Sequence, residues 1–298
     1  MRPDFMSVIK GKVLLIDGAM GTMLQAHALP VGEASEKWNL THPELVEKIH
    51  AEYVDAGADI ILTNTFGGSF FKLEANSLEM QTLEINRRAA EIARKAAGDD
   101  VYVAASIGPT GKFLEPLGDV SPQRMESVFK QQVEAVTSGG VDIICVETMS
   151  DPHEAAHAVA AAKKTTDIPV IASMTYESGK AGFRTMMGND VATCVKILSD
   201  AGADVIATNC GQGIDRMIGI VQEMRAATEL PLMAEPNAGL PQLVDGKTVY
   251  GETAEMMAAK LPKLIEVGLS IVGGCCGTSP QYIKLFRKVV DEFNLKKS

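Results

Sequence analysis

Eight short apolar runs, each opening into a glycine-rich or polar end, constrain this chain more than any other feature of its sequence. They are VLLIDGAMG from Val13, DIILTNTFG from Asp59, VYVAASIGPTG from Val101, DIICVETMS from Asp142, PVIASMTY from Pro169, DVIATNCGQG from Asp204, PLMAEPNAG from Pro231 and SIVGGCCGT from Ser270. Runs of Val, Ile, Leu and Ala without clean alternation are what strands buried on both faces look like. Between them lie helical patterns: Met125, Val128, Phe129, Val133 and Val136 recur at three- and four-residue steps, as do Leu45, Ile49 and Tyr53. Thr41 is the N-cap expected ahead of Pro43. Eight strands alternating with eight helices predict an α/β chain of the (β/α)8 (TIM) barrel type.

A weak internal repeat supports this. DAGADIIL, SGGVDIIC, DAGADVIA and EVGLSIVG precede the second, fourth, sixth and eighth strands. The glycine in each can take the left-handed conformation that ends a helix. An open doubly wound sheet, the alternative, would have fewer strands and one glycine fingerprint for phosphate. The 298 residues suit one large barrel, and no linker or low-complexity segment divides them, so residues 1–298 are expected to form a single domain.

Charge and cysteine content narrow the function. Asp and Glu number 38 against 28 Lys and Arg, a balance that disfavours nucleic-acid or anionic-membrane partners. Met1 to Lys12 is too mixed for a signal segment, and no apolar run is long enough to span a bilayer. The chain is therefore expected to be cytoplasmic, where thiols stay reduced. Five cysteines cannot all pair within one chain.

In a barrel, chemistry gathers at the carboxyl ends of the strands. There the sequence places Asp17, Asn64, Glu147, Asn209 with Cys210, Glu235 with Asn237, and Cys275 with Cys276. Cys210, Cys275 and Cys276 sit on strands six and eight, which have one neighbour between them. Three thiolates converging on one point suit Zn²⁺ with an open fourth position. Adjacent residues of a regular strand face opposite ways, so the glycines around Cys275 and Cys276 are expected to supply the irregular backbone that turns both sulfurs inward. A strained vicinal disulfide is the competing arrangement. Cys145 and Cys194 read as buried core residues. None of the five histidines falls at a strand end.

A zinc ion with three thiolates is a weak activator of water but a good holder of a fourth, nucleophilic thiolate, which favours alkylation of a thiol over hydrolysis. The glycines of Asp17-Gly18-Ala19-Met20-Gly21 leave backbone N–H groups free for a carboxylate, and Asp17 and Glu147 could hold an ammonium group. A small amino-acid thiol fits that set.

At these residues the chain resembles the zinc-dependent homocysteine S-methyltransferases. DGAMGT, TNTFG, IGPTG, VETMSD, TNCG, EPNAG and GGCCGT all match, over about Val13 to Val290. IGPTG, EPNAG with the following DGKTVYGET, and GGCCGTSP look most like the homocysteine-binding module of cobalamin-dependent methionine synthase. The resemblance implies methyl transfer to homocysteine, giving methionine. It puts zinc on Cys210, Cys275 and Cys276, the amino group on Glu147 and Asp17, and the carboxylate on the amides of Gly18, Ala19 and Met20. Asn209 is expected to support the thiolates, and Asn64 and Asn237 to do so more weakly. Methylcobalamin, on a corrinoid protein or on cobalamin and folate domains outside this sequence, is the implied donor. S-methylmethionine and betaine are the alternatives, and a non-autonomous homocysteine-binding zinc subunit or a zinc–thiolate store are the other readings. Betaine users carry a tyrosine directly after the strand-four glutamate, where this chain has Thr148, although Trp38 lies where they also place a tryptophan.

Overall fold

The computed structural model describes residues 2–30, 32–180, 182–244 and 247–297. Each apolar run forms a strand: β1 (Leu14–Leu15), β2 (Ile60–Leu62), β3 (Tyr102–Ile107), β4 (Ile143–Met149), β5 (Val170–Met174), β6 (Val205–Cys210), β7 (Leu232–Pro236) and β8 (Ile271–Val272). They hydrogen-bond in the order β1-β8-β7-β6-β5-β4-β3-β2, all parallel. The ring closes where Ile16 bridges Ile60, with Asp59 N–H donating to Leu15 O at 2.7 Å and Asp17 N–H to Ile60 O at 3.0 Å. This is a (β/α)8 barrel.

The helices α1 (Pro43–Asp55), α2 (Thr82–Ala97), α3 (Pro122–Ser138), α4 (Pro152–Thr165), α5 (Val191–Asp200), α6 (Ile214–Ala227), α7 (Ala254–Glu266) and α8 (Pro280–Lys297) surround it. Side chains of Ser121, Asp151, Asp190 and Thr253 accept amide hydrogens at the starts of α3, α4, α5 and α7, satisfying donors that a bare helix end leaves open. Thr41 does not cap α1. It ends a short helix of its own (Trp38–Thr41), where its hydroxyl bonds the Lys37 carbonyl, and His42 takes the cap position. Gly57, Gly140, Gly202 and Gly268, one before each even strand, all have φ between 92° and 107°, so the repeated motif is a helix stop that only glycine fills cheaply.

Two apolar layers result. The outer one lies between strands and helices. The inner one fills the barrel with Leu14, Ile16, Ile60, Ala104, Ile143, Cys145, Ile171, Val205, Met233 and Ile271, among others, and is stoppered by Phe5 and Ile9 of an N-terminal helix, Phe5–Gly11. The mixed N-terminal stretch thus supplies the helix Phe5–Gly11 that closes the barrel floor. Two antiparallel hairpins extend loops at the other end: Glu177–Gly179 with Gly182–Arg184 after β5, and Pro241–Val244 with Lys247–Tyr250 after β7. Asp245 and Gly246, from the DGKTVYGET stretch, lie outside the described residues. Among the described residues no helix is long and apolar enough to cross a membrane.

His50 on α1 is fully buried with both ring nitrogens lacking a hydrogen-bond partner among the described residues. Burial pushes its pKa down from 6.5 to about 4. As pH falls from 6.5 towards 4 the unfolded chain takes up the proton first, so folding stability drops across that window. Denaturant melts should show His50→Leu losing about 3 kcal/mol less than the wild type between pH 7 and pH 4. Equal losses would show that the ring is not held neutral.

Candidate metal centre

The three strand-end cysteines meet. Cys275 Sγ lies 3.5 Å and Cys276 Sγ 3.7 Å from Cys210 Sγ. Among the described residues, no other group of three His, Cys, Asp or Glu side chains gathers its ligand atoms within 4.8 Å. All five cysteines are free, so Cys275 and Cys276 form no vicinal disulfide in this structure, and Cys145 and Cys194 are buried in the core. Tetrahedral zinc with bonds of about 2.3 Å places its sulfurs about 3.8 Å apart. The observed separations fit that ion.

Each sulfur is aimed by a local departure from regular structure. In a continued strand Asn209 and Cys210 would face opposite ways. Cys210 instead adopts φ 65°, followed by Gly211 at 74° and Gly213 at 88°, and this left-handed turn swings its sulfur over the mouth. Such a conformation in a non-glycine residue costs about 1–3 kcal/mol and persists only where neighbours impose it. After β8 the chain departs from regular strand structure but stays hydrogen-bonded to β7, Gly273 N–H donating to Ala234 O at 3.2 Å. Cys275 N–H donates to Pro236 O at 2.9 Å, Cys276 O accepts from Ala238 N–H at 3.0 Å, and Cys275 O accepts from the Thr278 hydroxyl at 2.7 Å. The glycines here divide two tasks. Gly277 supplies the left-handed turn (φ 83°), whereas Gly273 and Gly274 permit close approach. A Cβ on Gly273 would stand 2.4 Å from Ile16 Cγ2, and one on Gly274 would stand 2.6 Å from the Thr278 hydroxyl.

Charge explains why a cation belongs there. The Cys210 and Cys275 thiols hydrogen-bond to Cys276 and pull its pKa down to about 3, while Cys275, bonded to Cys210 and Cys276 and buried, is pushed well above the ordinary thiol range. The cluster by itself stabilises one thiolate and holds its neighbours as thiols. Ionising all three requires a positive charge at their centre.

Beside the sulfurs lie three buried carboxyl groups, Asp17, Glu147 and Glu235. Asp17 Oδ2 accepts the Leu62 amide at 2.9 Å, but its Oδ1 has no partner among the described residues. Burial raises the pKa of Asp17 well above the carboxylate range and that of Glu147 to about 7. Glu235 is raised strongly too, by burial and then by the charges of Glu147 and Asp17, and its Oε2 is also unpartnered. Such a group of acids is suited to receiving a cationic ligand group. Sequence placed Glu235 at its strand end but assigned it no task.

Asn209 ties the two halves together. Its Nδ2 donates to Glu147 Oε2 at 3.0 Å and to Thr148 Oγ1 at 2.7 Å, and approaches Cys275 Sγ at 3.9 Å. Its Oδ1 accepts from Thr148 N–H at 2.9 Å and from the Ser173 hydroxyl at 2.8 Å. Thr148 needs this clamp. It is β-branched at φ 57°, beside a register shift between β4 and β5 that re-aims Glu147. Ser106 donates to the other Glu147 oxygen.

The remaining candidates separate. Asn237 Nδ2 holds the Gly211 carbonyl at 3.0 Å and so braces the Cys210 turn. Asn64 points elsewhere, bonding Ser35 O and Asn39 Oδ1, and secures the loop after β1. Ala19 caps the helix Met20–Ala26 without a side chain, leaving the amides at that helix end open. Gly18 admits no side chain, since a Cβ would stand 2.7 Å from the Thr278 hydroxyl. Tyr53 was missed by sequence. Its hydroxyl bonds Ala19 O at 3.1 Å and Thr278 O at 3.4 Å, joining the first and last loops of the mouth. Trp38 is buried against His42, with ring centroids 4.5 Å apart, and serves as packing.

A family model described as homocysteine S-methyltransferase matches residues 14–290. Methionine synthases of Mycobacterium tuberculosis and Mycobacterium leprae are 31% and 30% identical to the chain, covering 94% of it but 25% and 24% of their own length. The chain thus spans about a quarter of the length of these curated relatives. Among solved structures, the metallated form of the homocysteine methyltransferase MmuM from Escherichia coli superposes with a TM-score of 0.78 at 24% identity, covering 94% of this chain and 96% of that one.

Asn209→Ala should release both the strained Thr148 backbone and the buried Glu147 carboxyl. Urea melts are expected to show a loss of about 2–3 kcal/mol. Unchanged stability would mean that the clamp carries no strain.

Proposed function

The chain belongs to the homocysteine S-methyltransferase family, and on that premise we propose that Cys210, Cys275 and Cys276 hold a zinc ion at which the thiol of homocysteine is methylated to give methionine. The observation that carries this is the trio of sulfurs at 3.5 and 3.7 Å beside unpartnered buried carboxyl oxygens. When bound, zinc supplies the charge that keeps a substrate thiol ionised at neutral pH.

The chain's own residues do the rest. Asp17 and Glu147 receive the ammonium group, whose charge offsets the cost of burying their carboxylates. Asn209 and Ser106 fix Glu147 in place. The amides of Gly18, Ala19 and Met20 receive the carboxylate, at the positive end of the helix Met20–Ala26. With both charged ends seated in this way, the substrate thiol would be presented to the cysteine cluster. The rim there exposes Phe66, Phe113, Leu117, Leu240 and Leu243, an apolar surface suited to a macromolecular donor.

For the donor we favour a methylcorrinoid carried by another protein or domain. The likeness to methionine synthases four times as long supports this, as does Thr148, which is committed to Asn209 at the position where betaine users carry tyrosine. A second reading, a self-contained enzyme using a small donor such as S-methylmethionine, is favoured by the match to nearly the whole of the E. coli homocysteine methyltransferase. The reduced thiols suit a cytoplasmic setting in either case.

Two tests address this. Cys275→Ala or Cys276→Ala should abolish stoichiometric zinc and methyl transfer together, as read by metal analysis and a screen of methylcobalamin, a methylated corrinoid protein, S-methylmethionine and betaine. Full activity in a zinc-free variant would overturn the proposal, and turnover with S-methylmethionine alone would select the second reading. Glu147→Gln should keep zinc and weaken homocysteine binding by about tenfold to a hundredfold in titration calorimetry, while leaving 4-mercaptobutyrate, which lacks the amino group, unaffected. Equal weakening of both ligands would remove Glu147 from the ammonium site.

A further inference from the structure

Tyr53 lies on α1, fully buried. Its one hydroxyl proton is shared by two carbonyls far apart in the chain, Ala19 O at 3.1 Å and Thr278 O at 3.4 Å. The first of these oxygens belongs to the Ala19–Met20 peptide. Asp17 O, of the Asp17–Gly18 peptide, accepts Gly274 N–H at 3.1 Å. A carbonyl and the N–H that follows it share one planar unit and point opposite ways, so holding these two oxygens fixes where the Met20 and Gly18 amides point. On the other side the Thr278 hydroxyl donates to Cys275 O at 2.7 Å, which orients the peptide between Cys275 and Cys276. Gly277 N–H donates to Thr22 Oγ1 at 3.2 Å. The loops after β1 and β8 are thus cross-linked peptide by peptide, with no slack between them. A Cβ on Gly18 would stand 2.7 Å from the Thr278 hydroxyl and 3.0 Å from the Tyr53 hydroxyl.

Those two loops hold opposite ends of the substrate in the function proposed above, on which this inference rests. The amides of Gly18 and Met20 take the carboxylate, and Cys275 and Cys276 hold the zinc that takes the sulfur. The span between the loops then sets how many methylenes fit between carboxylate and thiol. Removing slack from that span makes the site a length gauge, because a ligand one methylene short or long seats one end at the expense of the other. We propose that Tyr53 is a positioning residue that determines specificity. Its hydroxyl fixes the distance from the carboxylate seat to the cysteine cluster, and so selects an amino-acid thiol with the two side-chain methylenes of homocysteine over shorter and longer homologues. Thr22 is a second staple in the same gauge.

The test uses the full chain loaded with zinc. Titration calorimetry compares homocysteine, cysteine, 2-amino-5-mercaptopentanoate and 3-aminopropanethiol, the last being homocysteine without its carboxylate. The wild type should bind homocysteine at least about tenfold more tightly than either length homologue. Tyr53→Phe keeps the buried ring and removes the staple. It should retain stoichiometric zinc, weaken homocysteine binding by about three- to tenfold, leave 3-aminopropanethiol unchanged and narrow the preference over the longer homologue by a similar factor. Thr22→Val, at a half-buried position, removes the acceptor of the Gly277 amide and should narrow the preference in the same direction. It decides the matter should Tyr53→Phe fail to fold. A merely structural role would weaken homocysteine and 3-aminopropanethiol alike. That result, or an unchanged length preference, overturns this proposal while leaving the zinc and homocysteine assignments standing. A wild type that binds homocysteine no better than 3-aminopropanethiol removes the carboxylate seat and overturns both.

Discussion

Three sulfur atoms, with Cys210 Sγ 3.5 and 3.7 Å from the other two and all within 4.8 Å of one another, cannot all be thiolates on their own. At that distance each pair of unit charges repels by about 4 kcal/mol even at an effective dielectric of about 20. The same crowding becomes favourable around a dication, and much of the barrel mouth is arranged to enforce it. β8 is regular only over Ile271–Val272, and the chain beyond it carries Cys275 and Cys276 in an irregular loop still bonded to β7. Gly273 and Gly274 lack side chains because the loop is pressed against Ile16 and Thr278. Cys210 is held left-handed because a regular strand would turn its sulfur away from the other two.

That strain is stored in one polar network. Asn209 spends every hydrogen-bonding atom of its amide on Glu147, Thr148 and Ser173, and Asn237 holds the carbonyl that follows Cys210. The full satisfaction of the Asn209 amide rigidifies that part of the site, whereas Asn237 Oδ1 has no partner among the described residues. Among the described residues, two of the buried polar atoms without a partner, Asp17 Oδ1 and Glu235 Oε2, belong to mouth carboxyl groups. On the proposed assignment, Asn209 braces the cysteine side while two carboxyl oxygens are open to a cationic group.

Much of this was legible in the sequence because it follows from local rules. Doubly buried strands read as unbroken apolar runs, the four helix-stopping glycines recur at one register, and strand ends mark where polar residues collect. The strand-end thiols, Asp17 and Glu147 were found that way, and the family likeness rests on the same stretches. What escaped depends on contacts distant in the chain. Nothing local marks Cys210 or Thr148 as left-handed, since residues from other strands impose those conformations. Asn64 sits at a strand end like Asn209, yet the loop after β1 captures its side chain. Phe5 and Ile9 look like a mixed terminus until the barrel floor is present to receive them. Tyr53 belongs to a surrounding helix, so reading strand ends alone passes over it.

The central claim is that the cysteine trio holds zinc with a fourth position kept for the substrate sulfur. X-ray absorption at the zinc edge, on the full chain with and without homocysteine, tests it most directly. The account predicts three sulfur neighbours at about 2.3 Å in the free protein and four once homocysteine is bound. A sulfur count that stays at three under saturating homocysteine would contradict it.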